Sequence, residues 1–236
     1  METREAIDRI VELAAVQEMT IGGQIYTDRQ IHRVIAPRPD PLVLFTLDSL
    51  IDYIKRPVDP LAEGTVVHVA SPVLVQVVSP HQGDDFARNH YAVARGPACS
   101  FRFGEFTIQE QFVIHLQTMF SETEDRQNLL RLAGSITEQS IQTSADDGIS
   151  QECSAKANIA FAERVTVKNP WVLAPYRTFR EITQVASPFI LRVRKGAHGP
   201  ELALFEADGG RWTLDAINQI AGYLGAALPT DVTILH

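Results

Sequence analysis

"TVVHVASPVLVQVVSP", Thr65–Pro80, carries the strongest β signal in the chain. Its β-branched residues run in two strokes, broken at Ser71-Pro72. Such residues suit a pleated, half-buried surface. Proline has no N–H for a ladder, so Pro72 puts the break at a bulge or an edge. After the polar loop "HQGDDFARN", the stretches "HYAVAR" (90–95) and "CSFRF" (99–103) read as further strands. Together they predict an antiparallel meander over 65–103, which can project from the body as a long hairpin or arm.

Helical spacing appears on either side of this meander. Ile7, Ile10, Val11 and Ala14 share one face of a helix expected over Thr3–Glu18, with Glu5, Asp8, Arg9 and Glu12 opposite. Gly22 and Gly23 end that element, and "QIYTDRQIHRVIAP" reads as two short strands around Asp28. "TLDSLIDYIKR" is a helix that Thr46 can cap. "TIQEQFVIHLQTMF" begins with a capping box, Thr107 with Glu110, and "ETEDRQNLLRLAGSITEQSI" follows as its partner helix. Further on, "ISQECSAKANIAFAERVTV" suits one long strand, and "NPWVLAPYRTF" an extended crossing. "FILRVRK" and "ELALFEA" form a plausible hairpin, "TLDAINQIAGYLGAAL" a last helix capped by Thr213, and "DVTIL" a final strand. Strands cluster, helices come as a central pair plus one at each end, and βαβ alternation is missing. The expected fold class is α+β: an antiparallel β-rich single body spanning 1–236.

The chain has 236 residues, 45% of them hydrophobic, enough for a sizeable core. Its formal net charge is −8. A broad phosphate-binding surface needs a basic face, so nucleic acid is not an expected partner. The charged N-terminus lacks a basic start and a pure apolar run, so no signal peptide is expected. No window of membrane-spanning length is free of charge, so no membrane partner is expected either. Two distant cysteines, Cys99 and Cys153, point to a reduced, cytoplasmic protein with buried thiols rather than a disulfide scaffold.

Four clusters could carry chemistry. In "SADDG", Asp146 and Asp147 could bind a divalent cation or split their pKa values for acid–base work. Asp-Gly also favours a tight turn, and no D-x-D-x-D spacing is present, so the turn comes first. In "PHQGDDFARNH", His81, Asp84, Asp85 and His90 could close on a metal, although a polar glycine-containing loop is ordinary between strands. "EADGGRW" (206–212) resembles a phosphate-cradling turn, but a tight turn delivering Trp212 into the core fits better. Arg177, Arg180, Arg192 and Arg194, with Lys195, concentrate positive charge around Tyr176 and Phe179. They could hold an anion if they converge, or lie at a subunit contact. No nucleophile elbow, zinc helix or C-x-x-C pair occurs, so neither a resident metal nor a cofactor is expected.

The order of "LDSLIDYI", "TIQEQFVIHLQ", "DDGISQ", "NPWVLAPYRTF" and "FILRVRKG…ELALFE" resembles the YfdQ-like family of uncharacterised phage and prophage proteins, over about residues 42 to 206. The resemblance implies a virus-encoded protein of the host cytoplasm and carries no catalytic residue with it. The leading expectation is a non-enzymatic protein that self-assembles into a ring or shell through the 65–80 strands, for phage assembly or an encounter with a host or phage protein. An alternative is a binding protein that sequesters a phosphorylated or nucleotide-like ligand with Arg177, Arg180 and Arg192, as an antagonist of host defence. A further alternative is a metal-dependent hydrolase using Asp146, Asp147 and a histidine.

Overall fold

A computed structural model describes residues 2–21, 24–27, 38–82, 87–136, 151–158 and 161–236. The chain divides into two units, Met1–Pro39 and Asp40–His236. Helix and strand are mixed and the strands are mostly antiparallel, so the α+β class expected from the sequence is found.

The first unit holds helix α1 (Glu2–Ala14) and an antiparallel pair, β1 (Glu18–Ile21) with β2 (Gln24–Thr27). α1 ends four residues earlier than its sequence pattern, because Glu18 already belongs to β1, opposite Thr27. The second strand expected after Asp28 lies outside the described residues. Every described side chain of α1, β1 and β2 is exposed.

In the second unit, the valine-rich stretch forms β4 (Val66–Ser71) and β5 (Leu74–Val78), joined by a tight turn at Pro72-Val73. The register shifts between Val69 and Ser71, so the bulge that Pro72 predicted sits beside the turn. β6 (His90–Arg95) pairs antiparallel with β5, completing the meander. β3 (Leu42–Leu44) joins β6, and β13 (Thr233–Leu235) joins β4, both in parallel, for a sheet of order β13-β4-β5-β6-β3. The meander is therefore the centre of a sheet and not a projecting arm. Its inner face (Val67, Val69, Val75, Val77, Ala92, Ala94) is buried against α2 (Leu47–Lys55) and α5 (Arg211–Ala227). α2 starts where its sequence says: the Thr46 hydroxyl oxygen accepts from the Ser49 N–H at 3.1 Å.

A second core lies under an all-antiparallel sheet of order β10-β11-β12-β7: β10 (Trp171–Leu173), β11 (Ser187–Gly196), β12 (Gly199–Glu206) and β7 (Thr107–Ile108). β11 and β12 form the expected hairpin, register Phe189↔Glu206 to Gly196↔Gly199. Alternation along β11 sends Phe189, Leu191 and Val193 inward, where they meet Phe112, Leu116 and Leu129 of helices α3 (Gln109–Met119) and α4 (Glu124–Ser135).

Four local expectations are corrected. "CSFRF" is no strand: Phe101 and Phe103 reach the second core from a loop that Gly104 turns at φ 78°. Their alternation marks one buried face, not a backbone partner. The capping box does not form, because Thr107 pairs with Leu202 in β7 and α3 has no side-chain cap. Gln109 instead donates to the carbonyls of Ala133 and Ile136 at the end of α4, at 2.5 and 2.9 Å. The long strand after Gln151 is a hairpin, β8 (Gln151–Asn158) with β9 (Phe161–Val167). Asp208, not Thr213, caps α5: its carboxylate accepts from the N–H groups of Gly210 and Trp212, both at 3.0 Å. No described helix is long and apolar enough to cross a membrane.

Candidate functional site

The crossing from β10 to β11 carries Arg177. Its side chain is only 2% exposed. Nη1 donates to Glu206 Oε1 and Nη2 to Ser187 Oγ, each at 2.6 Å. The guanidinium stacks 3.8 Å from the Trp212 ring centroid, with Phe189 at 5.7 Å. Nε has no partner. Burial pulls the guanidinium below its usual range while Glu206 pushes the other way, and the group stays a cation at physiological pH. The backbone is held as firmly as the side chain. The Arg177 N–H donates to Gln184 Oε1 at 3.1 Å, and the Thr178 hydroxyl to the Pro72 carbonyl at 2.6 Å. A buried cation clamped to two strands is first of all a structural tie.

Beside this tie opens a cleft of about 360 Å³. The β4–β5 turn supplies Pro72 and Val73, the loop before β7 supplies Phe101 and Phe103, and the first turn of α5 supplies Trp212. Glu206 is its exposed polar group, with a side chain 37% exposed. Cys99 also lines it, half-buried, and burial pushes its thiol pKa up. That is the opposite of an activated thiolate.

The four arginines do not converge. Arg192 and Arg194 share the outer face of β11, as their spacing predicts, while Arg177 reaches Ser187, which is buried with the inner-face residues. Along the strand, Arg192 and Arg194 also stand five and seven residues from Ser187, about 16 and 23 Å at the usual rise. Arg194 is neutralised within the chain by Glu201, at 2.7 Å, and lies over Phe106. Arg180 stacks on Tyr176 at 4.2 Å. The alternative of a three-arginine anion site is therefore not assembled, and Arg177 and Arg194 have acidic partners within the chain.

Asp146, Asp147, Asp84 and Asp85 lie outside the described residues. His81 and His90 are exposed, and His90 with His68 borders a smaller pocket on the outer face of the five-stranded sheet. Among the described residues no group of three or more metal-ligating side chains gathers. Sequence reading passed over Glu206, seen only as the end of a strand, and sent Trp212 into the core. Trp212 is half-buried and covers a guanidinium. The alternation of β12 gave a signal: Glu206 follows the buried Leu202 and Leu204 at the same two-residue spacing.

Comparison with family models, with curated proteins and with solved structures finds no match to this chain.

Proposed function

We propose that this chain is a phage- or prophage-encoded, non-enzymatic protein that self-assembles into a homo-oligomer, with its N-terminal unit as the assembly element. The observation that carries the reading is the apolar face of α1. Ile7, Ile10 and Val11 are 57%, 65% and 63% exposed. In β1 and β2, Met19, Ile21 and Tyr26 share one exposed face, because Met19 pairs with Tyr26 and Ile21 lies two residues on. A two-stranded ribbon is marginal in water without further packing.

The partner that fits is a second copy. Charges of both signs are interspersed along α1 (Glu2, Arg4, Glu5, Asp8, Arg9, Glu12), so a helix of the same kind can bring its arginines to the acidic residues of its copy. Energetics indicate how much must be buried. Covering the three α1 side chains in each of two copies gains on the order of 10 kcal/mol. Association itself costs 4–15 kcal/mol by rough estimates. Helix pairing alone is thus marginal, and the β1–β2 face has to contribute.

The 65–80 strands offer less for the contact first expected of them. β5 is paired on both sides, by β4 and β6, and β13 covers Val66–His68 of β4, so little open edge is left. Their apolar excess is spent on the intramolecular core. The phage or prophage origin, with its cytoplasmic setting, is supported by the sequence resemblance over residues 42–206.

Light scattering tests the reading on the full chain at micromolar concentration. The unaltered protein is expected to be oligomeric. The double variant Ile7→Asp/Ile10→Asp should shift toward the monomer with an unchanged melt of the 40–236 cores. A monomeric unaltered protein, or an oligomer indifferent to both aspartates, overturns it.

A further inference from the structure

We propose that the cleft beside Arg177 is a binding site for a small organic cation: an apolar ring or short chain bearing an ammonium group. This inference does not depend on self-assembly. Its volume, about 360 Å³, lies at the small end for ligand pockets and fits a fragment rather than a nucleotide. Its walls are Pro72, Val73, Phe101, Phe103 and Trp212, which suit an apolar body.

The sign of the ligand's charge follows from the groups at the wall. Arg177 contributes one positive charge and is almost wholly buried. Glu206 contributes one negative charge at the wall. The two charges balance, but the carboxylate is 37% exposed and the guanidinium 2%, so the carboxylate is the charge that an entering ligand meets. The Trp212 ring centroid lies 3.8 Å from the guanidinium, whose Nη1 and Nη2 are bound by Glu206 and Ser187. Glu206 Oε1 accepts from Arg177, which leaves Oε2 for an incoming N–H donor. Because Arg177 fixes that carboxylate in place, the acceptor is preorganised. Aromatic rings around it favour a cation further through their negative faces. Phosphate, the ligand first considered for Arg177, is disfavoured by the exposed carboxylate that it would have to approach.

Three probes with one phenyl body separate the contributions: 2-phenylethylamine, 2-phenylethanol and 3-phenylpropionate. Binding is read by Trp212 fluorescence and by protection of Cys99 from iodoacetamide, resolved by peptide mass spectrometry from Cys153. The amine is expected to bind and protect Cys99, the alcohol more weakly, and the acid least. Glu206→Gln keeps an acceptor for Arg177 but removes the charge, and should weaken the amine by roughly tenfold or more while leaving the alcohol unchanged. Ala98→Trp, at the exposed rim, should block all three probes without altering the melt. Equal or stronger binding of the acid overturns the proposal, as does amine binding indifferent to Glu206→Gln. So does Cys99 protection that survives Ala98→Trp, or the absence of protection by any probe at millimolar concentration.

Discussion

Replacing Arg177 by methionine should destabilise the protein by about 2–4 kcal/mol, and replacing Glu206 by leucine should cost more, although both remove the same ion pair. The inequality comes from exposure. Arg177→Met removes two charge-assisted hydrogen bonds at 2.6 Å, each worth roughly 1.5–3 kcal/mol. It also removes the stacking on Trp212, at most about 2 kcal/mol. Against this, the guanidinium no longer has to be desolvated, which returns several kcal/mol by rough estimate. Glu206, already 37% exposed, is simply rehydrated. Only the buried Ser187 hydroxyl is left without a partner. Glu206→Leu does the reverse: it strands a cation that is 2% exposed, and breaking a buried pair in that way costs roughly 3–5 kcal/mol. The double variant should then recover part of the loss of Glu206→Leu alone. Urea denaturation of the four proteins measures the cycle. If Glu206→Leu proves milder than Arg177→Met, or if the double variant is the sum of the singles, the picture of a buried cation held by a semi-exposed acid is wrong.

Asp125 offers a pH test. The Lys168 ammonium and then the Val172 N–H, both at 2.8 Å, hold its carboxyl below the ordinary value of 3.8. A depressed carboxyl stabilises the fold above its unfolded value and stops doing so as pH falls through its folded one. Asp125→Asn should therefore cost about 1 kcal/mol at neutral pH, a gap that closes on acidification below 3.8, read by denaturation at stepped pH. Asp208→Ala removes both cap acceptors of α5 and should cost about 1–2 kcal/mol in the same assay, whereas Asp208→Asn retains most of the cap. Gly210→Ala, at φ 84°, should cost roughly 1 kcal/mol despite open space around a new Cβ, because the penalty is in the backbone.

The elements that could be read from sequence were those whose pattern and whose local chemistry agree. α2 has an apolar stripe and a threonine in capping position, and both are used. β4 and β5 have valine alternation and a proline at the break, and the structure puts a turn and a bulge there. Errors arose where a side chain had two offers. Thr107 could cap α3 or pair in β7, and the ladder to Leu202 won. Thr213 and Asp208 could both begin α5, and the two glycines at positive φ bring the Asp208 carboxylate over the amides. Sheet order was the harder part. That β13, the last strand, joins β4 in parallel depends on α5 packing back over the meander, a contact between residues more than a hundred apart.

The arginine site was misjudged for a related reason. Charge density along the sequence treats four arginines as one feature, but a strand separates its residues by face, and a buried loop selects by partner. Arg192 and Arg194 were correctly put on one face, and that same periodicity excludes them from the inner side where Arg177 meets Ser187. What decides the role of Arg177 is a set of residues scattered from Pro72 to Trp212, which only the packing of the two cores brings to one wall. The consequence reverses the anion alternative for the cluster. An arginine reading alone predicts an anion, whereas an arginine that is 2% exposed, with Nη1 on Glu206 and Nη2 on Ser187, leaves the 37% exposed carboxylate as the group a ligand meets. The sign of the preferred ligand is set by which partner of a buried ion pair remains in contact with solvent.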